Sequence, residues 1–197
     1  MRSSQLLLTL AAFAWCIVAS PQLHAGQPAG IEGLLATEAA PDYRQELDMF
    51  GRYVGNWDTR GEYYAPDGKL RGRAKGGIHI GWILYGTALQ DVWEGNFDDK
   101  PRAQRPFGFG TTIRFFDRQL KVWRVVWIAP TVNVVQMFTA RKVGDEYWLE
   151  GVAPNGHLIR WTWSDLTPNS FTYSSLESAD GGVHWALDER IWATRRR

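Results

Sequence analysis

Over residues 57–194 the chain alternates, and nothing else in the sequence constrains the fold as strongly. Runs rich in Trp, Tyr, Phe, Val, Ile and Thr set large residues at every second position, with small or charged residues between them. A period of two sends the two rows to opposite faces of a strand. Turn signals divide the runs: Pro66-Asp67-Gly68, Gly86, Asp117-Arg118, Pro130, Gly144-Asp145, Pro154-Asn155-Gly156, Pro168-Asn169 and Asp180-Gly181-Gly182. The predicted strands are 57–64, 69–82, 87–95, 107–116, 121–129, 133–142, 147–152, 158–166, 171–178 and 184–194, with a polar loop carrying Pro101 and Pro106 between the third and fourth.

Short turns join about ten strands and leave no room for the crossovers that parallel neighbours need. The sheet is therefore an antiparallel meander. A meander of this length exposes costly edges unless it closes, so the expected fold is all-β, an up-and-down barrel with room for a small ligand. A two-sheet sandwich is the alternative. The one convincing helix precedes the strands, at about 42–53. Pro41-Asp42 opens it, and Leu47, Phe50 and Val54 follow at helical spacing.

Composition narrows the function classes. Lys and Arg number 22 against 21 Asp and Glu, which gives no basic excess for nucleic acid. Residues 1–25 carry Arg2, an apolar run over 6–19, and small residues up to Ala25. The run falls short of the roughly 20 residues that span a bilayer, so it is expected to be a signal peptide. Residues 26–41 then form a linker, and 42–197 a single domain in the periplasm or outside the cell, with no membrane span left after cleavage. Cleavage would remove the lone cysteine, Cys16. Basic residues alternate through Lys69, Arg71, Arg73 and Lys75, as on a solvated sheet face.

Several short motifs occur in a fixed order: Gly55-Asn56-Trp57-Asp58, Gly81-Trp82-Ile83-Leu84-Tyr85-Gly86, Leu89-Gln90-Asp91-Val92-Trp93, Arg114-Phe115-Phe116-Asp117, and Ser178-Ala179-Asp180-Gly181-Gly182-Val183-His184-Trp185. Over roughly 45–195 the chain resembles a bacterial calycin-like family, domain of unknown function 1579. The resemblance implies a lipocalin-like barrel and carries no catalytic residue with it.

The sequence contains no G-x-S-x-G elbow, P-loop, HExxH or cysteine-based zinc pattern. Strand parity supplies the candidates instead. Asp91 shares a face with Leu89 and Trp93. Glu177 follows Phe171 and Tyr173. Glu189 falls in phase with Trp185, Leu187 and Ile191. Arg124 shares a row with Val122, Val126 and Ile128, while Trp123, Val125 and Trp127 form the opposite row, so that strand is apolar on both sides. Buried carboxylates must be paired, hydrogen-bonded or neutral. Asp91, Glu177 and Glu189 with Arg124 could form an internal polar cluster, or could pair with Arg141, Arg190 or Arg195 at strand ends.

Among the histidines His79, His157 and His184, His157 shares parity with Ile159, Trp161 and Trp163 and is the candidate for a barrel-facing ring. The pairs Trp123/Trp127 and Trp161/Trp163 each share a face and could line a cavity. The candidate binding residues are thus Asp91, Trp93, Arg124, Trp127, His157, Trp161, Trp163, Glu177 and Glu189. The expected function is binding of a small apolar or aromatic ligand, with no metal and no required cofactor. The alternatives are an enzyme using the buried carboxylates as acid and base, a haem-binding barrel, and a filled barrel that docks a partner.

Overall fold

The structure is a computed structural model describing residues 34–97 and 110–197. The expected signal peptide and most of the polar loop between the third and fourth strands lie outside the described residues. Ten strands follow the alternation: β1 (Gly55–Tyr64), β2 (Leu70–Ile83), β3 (Ala88–Phe97), β4 (Gly110–Asp117), β5 (Val122–Ala129), β6 (Val134–Val143), β7 (Glu146–Val152), β8 (Leu158–Ser164), β9 (Ser170–Ser178) and β10 (Ala186–Arg195). Each pairs antiparallel with the next, and β10 returns to β1, so the barrel is closed. The sandwich alternative is excluded. At the closing seam Trp57 lies opposite Arg195, and Tyr63 opposite Glu189. Closure leaves no sheet edge to template aggregation.

A 3-10 turn, Pro41–Tyr43, leads into α1 (Arg44–Gly51), where proline near the start is favoured because its missing N–H would be unsatisfied anyway. Leu47 and Phe50 are buried as their spacing requires, but Tyr53, not Val54, is the third buried group. The helix stops at Gly51, pressed on the Trp82 indole, where an added Cβ would lie 2.6 Å from a ring carbon. Tyr53 therefore follows the helix in a turn and drops into the barrel. The segment expected to be a linker is partly pinned: Ala36 N–H donates to the Trp82 carbonyl at 3.0 Å, and Ala40 N–H to Gly86 at 2.9 Å.

Helix α1 plugs one end. Phe50 meets Trp123 at 5.0 Å between ring centres, and Tyr147 and Trp163 at 5.4 Å, all edge-on. Trp163 stacks on Phe171 at 4.2 Å, and Tyr53 packs edge-on against both. Rings this close add to the burial energy through their edge-to-face electrostatics. Arg195 bolts the plug to the seam. It donates to the carbonyls of Val54 at 2.8 Å and Arg52 at 2.9 Å, where a helix end leaves carbonyls without partners. Its guanidinium also lies 4.2 Å from the Trp57 ring centre.

Of the tryptophans in the described residues, Trp57, Trp82, Trp93, Trp123, Trp127, Trp161 and Trp163 belong to the interior. The others lie outside under arginines. Arg160 sits between Trp148, at 4.0 Å, and Trp185, at 4.2 Å, while Arg60 covers Trp192 at 5.0 Å. Strand β5 turns its tryptophan row inward. Its outer row leaves Val126 and Ile128 beside exposed Met137 and Val135 of β6.

Candidate functional site

Because the strands alternate in direction, the connections sort onto two ends. Those after β2, β4, β6 and β8 lie at the α1 end; those after β1, β5, β7 and β9 lie at the other. A cavity of about 410 Å³ opens at this second end, and Thr131, Val132 and Pro154 of its connections border it. Its size falls in the range of small-molecule sites.

Its floor is aromatic. Trp93 and Trp127 meet at 6.4 Å, Trp127 and Trp161 at 5.9 Å, Trp161 and Tyr173 at 5.7 Å, and Tyr173 returns to Trp93 at 5.3 Å. These four rings close a circuit across the barrel, and all four line the cavity. Above them, one wall is built of small residues: Thr59, Gly61, Ala74, Gly95 and Gly110. Gly110 has a steric reason, since a Cβ there would fall inside the Trp127 ring. Ile159 and Ile191 add apolar surface, and Gln136 spends its amide on backbone, donating to the Val152 carbonyl at 2.8 Å.

The adjoining wall, on β9 and β10, is acidic. Glu177, Asp188 and Glu189 all line the cavity. Two consecutive carboxylates reach one space because the register shifts there: Leu187 pairs with Leu176, but Glu189 pairs with Ser175, so Asp188 is the extra residue of a β-bulge. A bulge breaks the period-two rule locally. The expected phase of Glu189 with Leu187 and Trp185 therefore fails, while its phase with Ile191 holds. Burial raises Glu189 to about 7, against a hydrogen bond from Tyr63 that favours the charged form and beside Asp188, which disfavours it. Asp188 is raised by burial and by nearby Glu177, with Arg71 opposing. Burial also raises the Tyr173 phenol, and the charge of Glu189 adds to this.

The nine expected site residues divide five ways. Trp93, Trp127, Trp161, Glu177 and Glu189 line the cavity. Trp163 shares their face but lies deeper, under α1, with its ring against Phe171 and Phe50. His157 stands in the turn before β8, half-exposed, its Nδ1 2.5 Å from Glu177 Oε1. Glu177 is held low by Asn155, which donates to it at 3.1 Å, and by His157. His79 instead meets Asn56 at 2.8 Å, and His184 meets Asp180 at 2.6 Å.

Arg124 is not in the cluster expected for it. It belongs to the outer row of β5 and pairs with Asp117 at 3.4 Å. The apolar character of both rows hides the strand's direction in the sequence; inside the barrel Trp123 meets Phe50 and Phe116, and Trp127 meets Trp93 and Trp161.

Asp91 is fully buried but lies outside the cavity lining. It accepts hydrogen bonds from Trp93 Nε1 at 2.8 Å and Thr112 N–H at 3.0 Å, and it contacts the Thr112 hydroxyl and Arg114 Nη2. Its ion-pair partner is thus Arg114, which parity reasoning had not singled out. The readable signal was that Arg114 alternates with Thr112 and Phe116 on an inward row of the neighbouring strand. Arg114 is 2% exposed and lies 4.7 Å from the Phe50 ring centre and 5.4 Å from Trp163. Burial lowers it to about 9, still above neutral pH. The pair sits between the aromatic floor and the plug and holds Trp93 by its indole nitrogen.

A closed ten-stranded meander, plugged by a helix at one end and hollow at the other, defines a calycin-like barrel. No protein-family model matches the chain, and no curated protein matches it. Solved structures do. The S-type phycobiliprotein lyase CPES from Guillardia theta aligns over 87% of this chain and 99% of its own, with a TM-score of 0.54 and 14% identity. Rv2717c from M. tuberculosis aligns over 81% of this chain and 100% of its own, again with a TM-score of 0.54 and 14% identity. At such identity the likeness concerns the fold.

Proposed function

We propose that this protein binds a small, mainly apolar ligand in the open half of its barrel. The observation that carries the reading is the cavity of about 410 Å³ floored by Trp93, Trp127, Trp161 and Tyr173. A filled barrel would have packed that space with side chains, as the α1 half does. The ligand would gain by leaving water for the ring surfaces, while the polar wall fixes its orientation. We also propose, from residues 1–25 and from the ordered motifs, that the chain is exported and is a relative of the family of domain of unknown function 1579. Native mass spectrometry of freshly purified protein tests the binding reading. A retained small molecule, lost in Trp161→Ala, supports it; a bare protein whose tryptophan emission ignores lipids, aromatics and haem counts against it.

Catalysis is a second reading with one specific observation behind it. Glu189, raised to about 7 and hydrogen-bonded by Tyr63, would be poised to exchange a proton near neutrality. Turnover of a bound substrate that is abolished in Glu189→Gln with binding retained would establish it.

A further inference from the structure

We propose that the ligand is an organic cation: an apolar body that sits on the aromatic floor and ends in an ammonium nitrogen facing β9 and β10. The inference rests on the ligand-binding reading and adds the charge of the ligand. The cavity itself marks the site, and its inner rows fix the sign.

The charged side chains that line the cavity from inner-row or bulge positions, Glu177, Asp188 and Glu189, are all acidic; the inward Arg114 lies outside the lining, paired with Asp91. Lys75 and Glu94 also border the cavity, but both occupy outer-row positions. Lys75 is exposed beside exposed Arg73 in the alternation of β2, and Glu94 reaches towards His79, 4.0 Å away. Glu177 already has Asn155 and His157 as partners. Asp188 and Glu189 are brought side by side by the bulge; Glu189 accepts a hydrogen bond from the neutral Tyr63 hydroxyl, and Arg71 acts on Asp188. Two adjacent carboxylates at the wall of an apolar cavity repel each other, and Glu189, the more buried of the two, is poorly solvated while Asp188 is exposed. A cationic nitrogen relieves both costs at once.

The floor favours the same sign, because the faces of indole and phenol rings attract cations. An anionic ligand would meet like charge and electron-rich rings. A metal ion would need closely convergent ligands, and among the described residues no group of three acidic, histidine or cysteine side chains could hold one. The charge is therefore expected to belong to a molecule large enough to cover the floor.

The test compares three probes with one apolar body: naphthylmethylamine, naphthylmethanol and naphthylacetate. Each is titrated calorimetrically into the full-length mature protein at a pH of about 8, where the amine is still protonated and Glu189 is ionised. The ammonium probe is expected to bind at least about tenfold tighter than the alcohol, with the carboxylate weakest. Glu189→Gln should remove most of that advantage and leave the alcohol unchanged. Asp188→Asn, at the bulge, serves the same purpose if the first variant misfolds by near-ultraviolet circular dichroism.

Equal affinity for amine and alcohol, or tightest binding of the acetate, overturns the cation inference while the cavity remains a binding site. Absence of heat from all three probes overturns the binding reading and the inference with it.

Discussion

Replacing Asp91 with Asn tests the account of the barrel's interior most severely. The side chain keeps its shape and loses its charge. Arg114 then remains buried with no counter-ion, and its Nε and Nη1 already have no hydrogen-bond partner. Breaking one side of a buried pair costs about 3–5 kcal/mol, because the remaining charge cannot reach water. For a chain of this size that corresponds to a fall in Tm of roughly 6–20 °C.

Arg114→Met should cost a similar amount, since it strands the carboxylate among Trp93 and Thr112. The double variant removes both charges and fits a flexible apolar side chain under Phe50 and Trp163. It is expected to be more stable than the sum of the singles, by a coupling of about 2–3 kcal/mol. Urea unfolding followed by tryptophan emission gives all four free energies, with the slope of each transition checked for two-state behaviour. A cost below about 1 kcal/mol for Asp91→Asn, or additive single effects, would refute the claim that the two residues act as one buried unit.

Four further outcomes follow from the same geometry. Phe50→Ala should destabilise the barrel by about 3–5 kcal/mol, read from the urea midpoint, because three edge-on ring contacts and the helix plug depend on it. Gly110→Ala should push the Trp127 indole into the cavity; expected are a changed near-ultraviolet circular dichroism spectrum and weaker ligand binding, at a cost of about 1–3 kcal/mol. Arg195→Ala removes donors from the Arg52 and Val54 carbonyls and should raise amide exchange across α1, with a stability loss of about 1–3 kcal/mol.

The pH dependence has a definite sign. Glu189, faced by Tyr63 from β1, Tyr173 from β9 and Asp188 on its own strand, is raised above its unfolded value to about 7. The folded state thus holds this proton more tightly. Its contribution is fully present at acid pH, below the unfolded carboxylate value, and is lost as pH rises towards and through about 7. Glu189→Gln should flatten that part of the stability profile, and an unchanged slope would remove Glu189 as its source.

The backbone plan could be read directly from the sequence. Alternation locates strands because a pleated strand has a fixed period, and Gly, Pro, Asn and Asp at the breaks name the turns. Closure followed from the cost of open edges. Part of the binding surface was also legible: parity put Trp93 on one face with Leu89 and Asp91 and Trp161 on one face with Trp163, and named Trp127 as a candidate without fixing which way its strand turns.

What parity could not supply was depth, direction and phase across an irregularity. Trp161 and Trp163 share a face, yet one borders the cavity and the other is sealed beneath α1, because only the packing of a distant helix decides which half of a barrel is filled. Strand β5 is apolar on both sides, so its sequence did not say that Arg124 faces out. The ionic partner of Asp91 came from the next strand over, through a register no local pattern encodes. The acidic wall exists because one extra residue, Asp188, slips into β10 and turns two neighbouring carboxylates to the same side. Local sequence thus determined the strands and their turns through short-range sterics. The tertiary structure decided which faces enclose space and which charges meet there, because those depend on contacts between residues far apart in the chain.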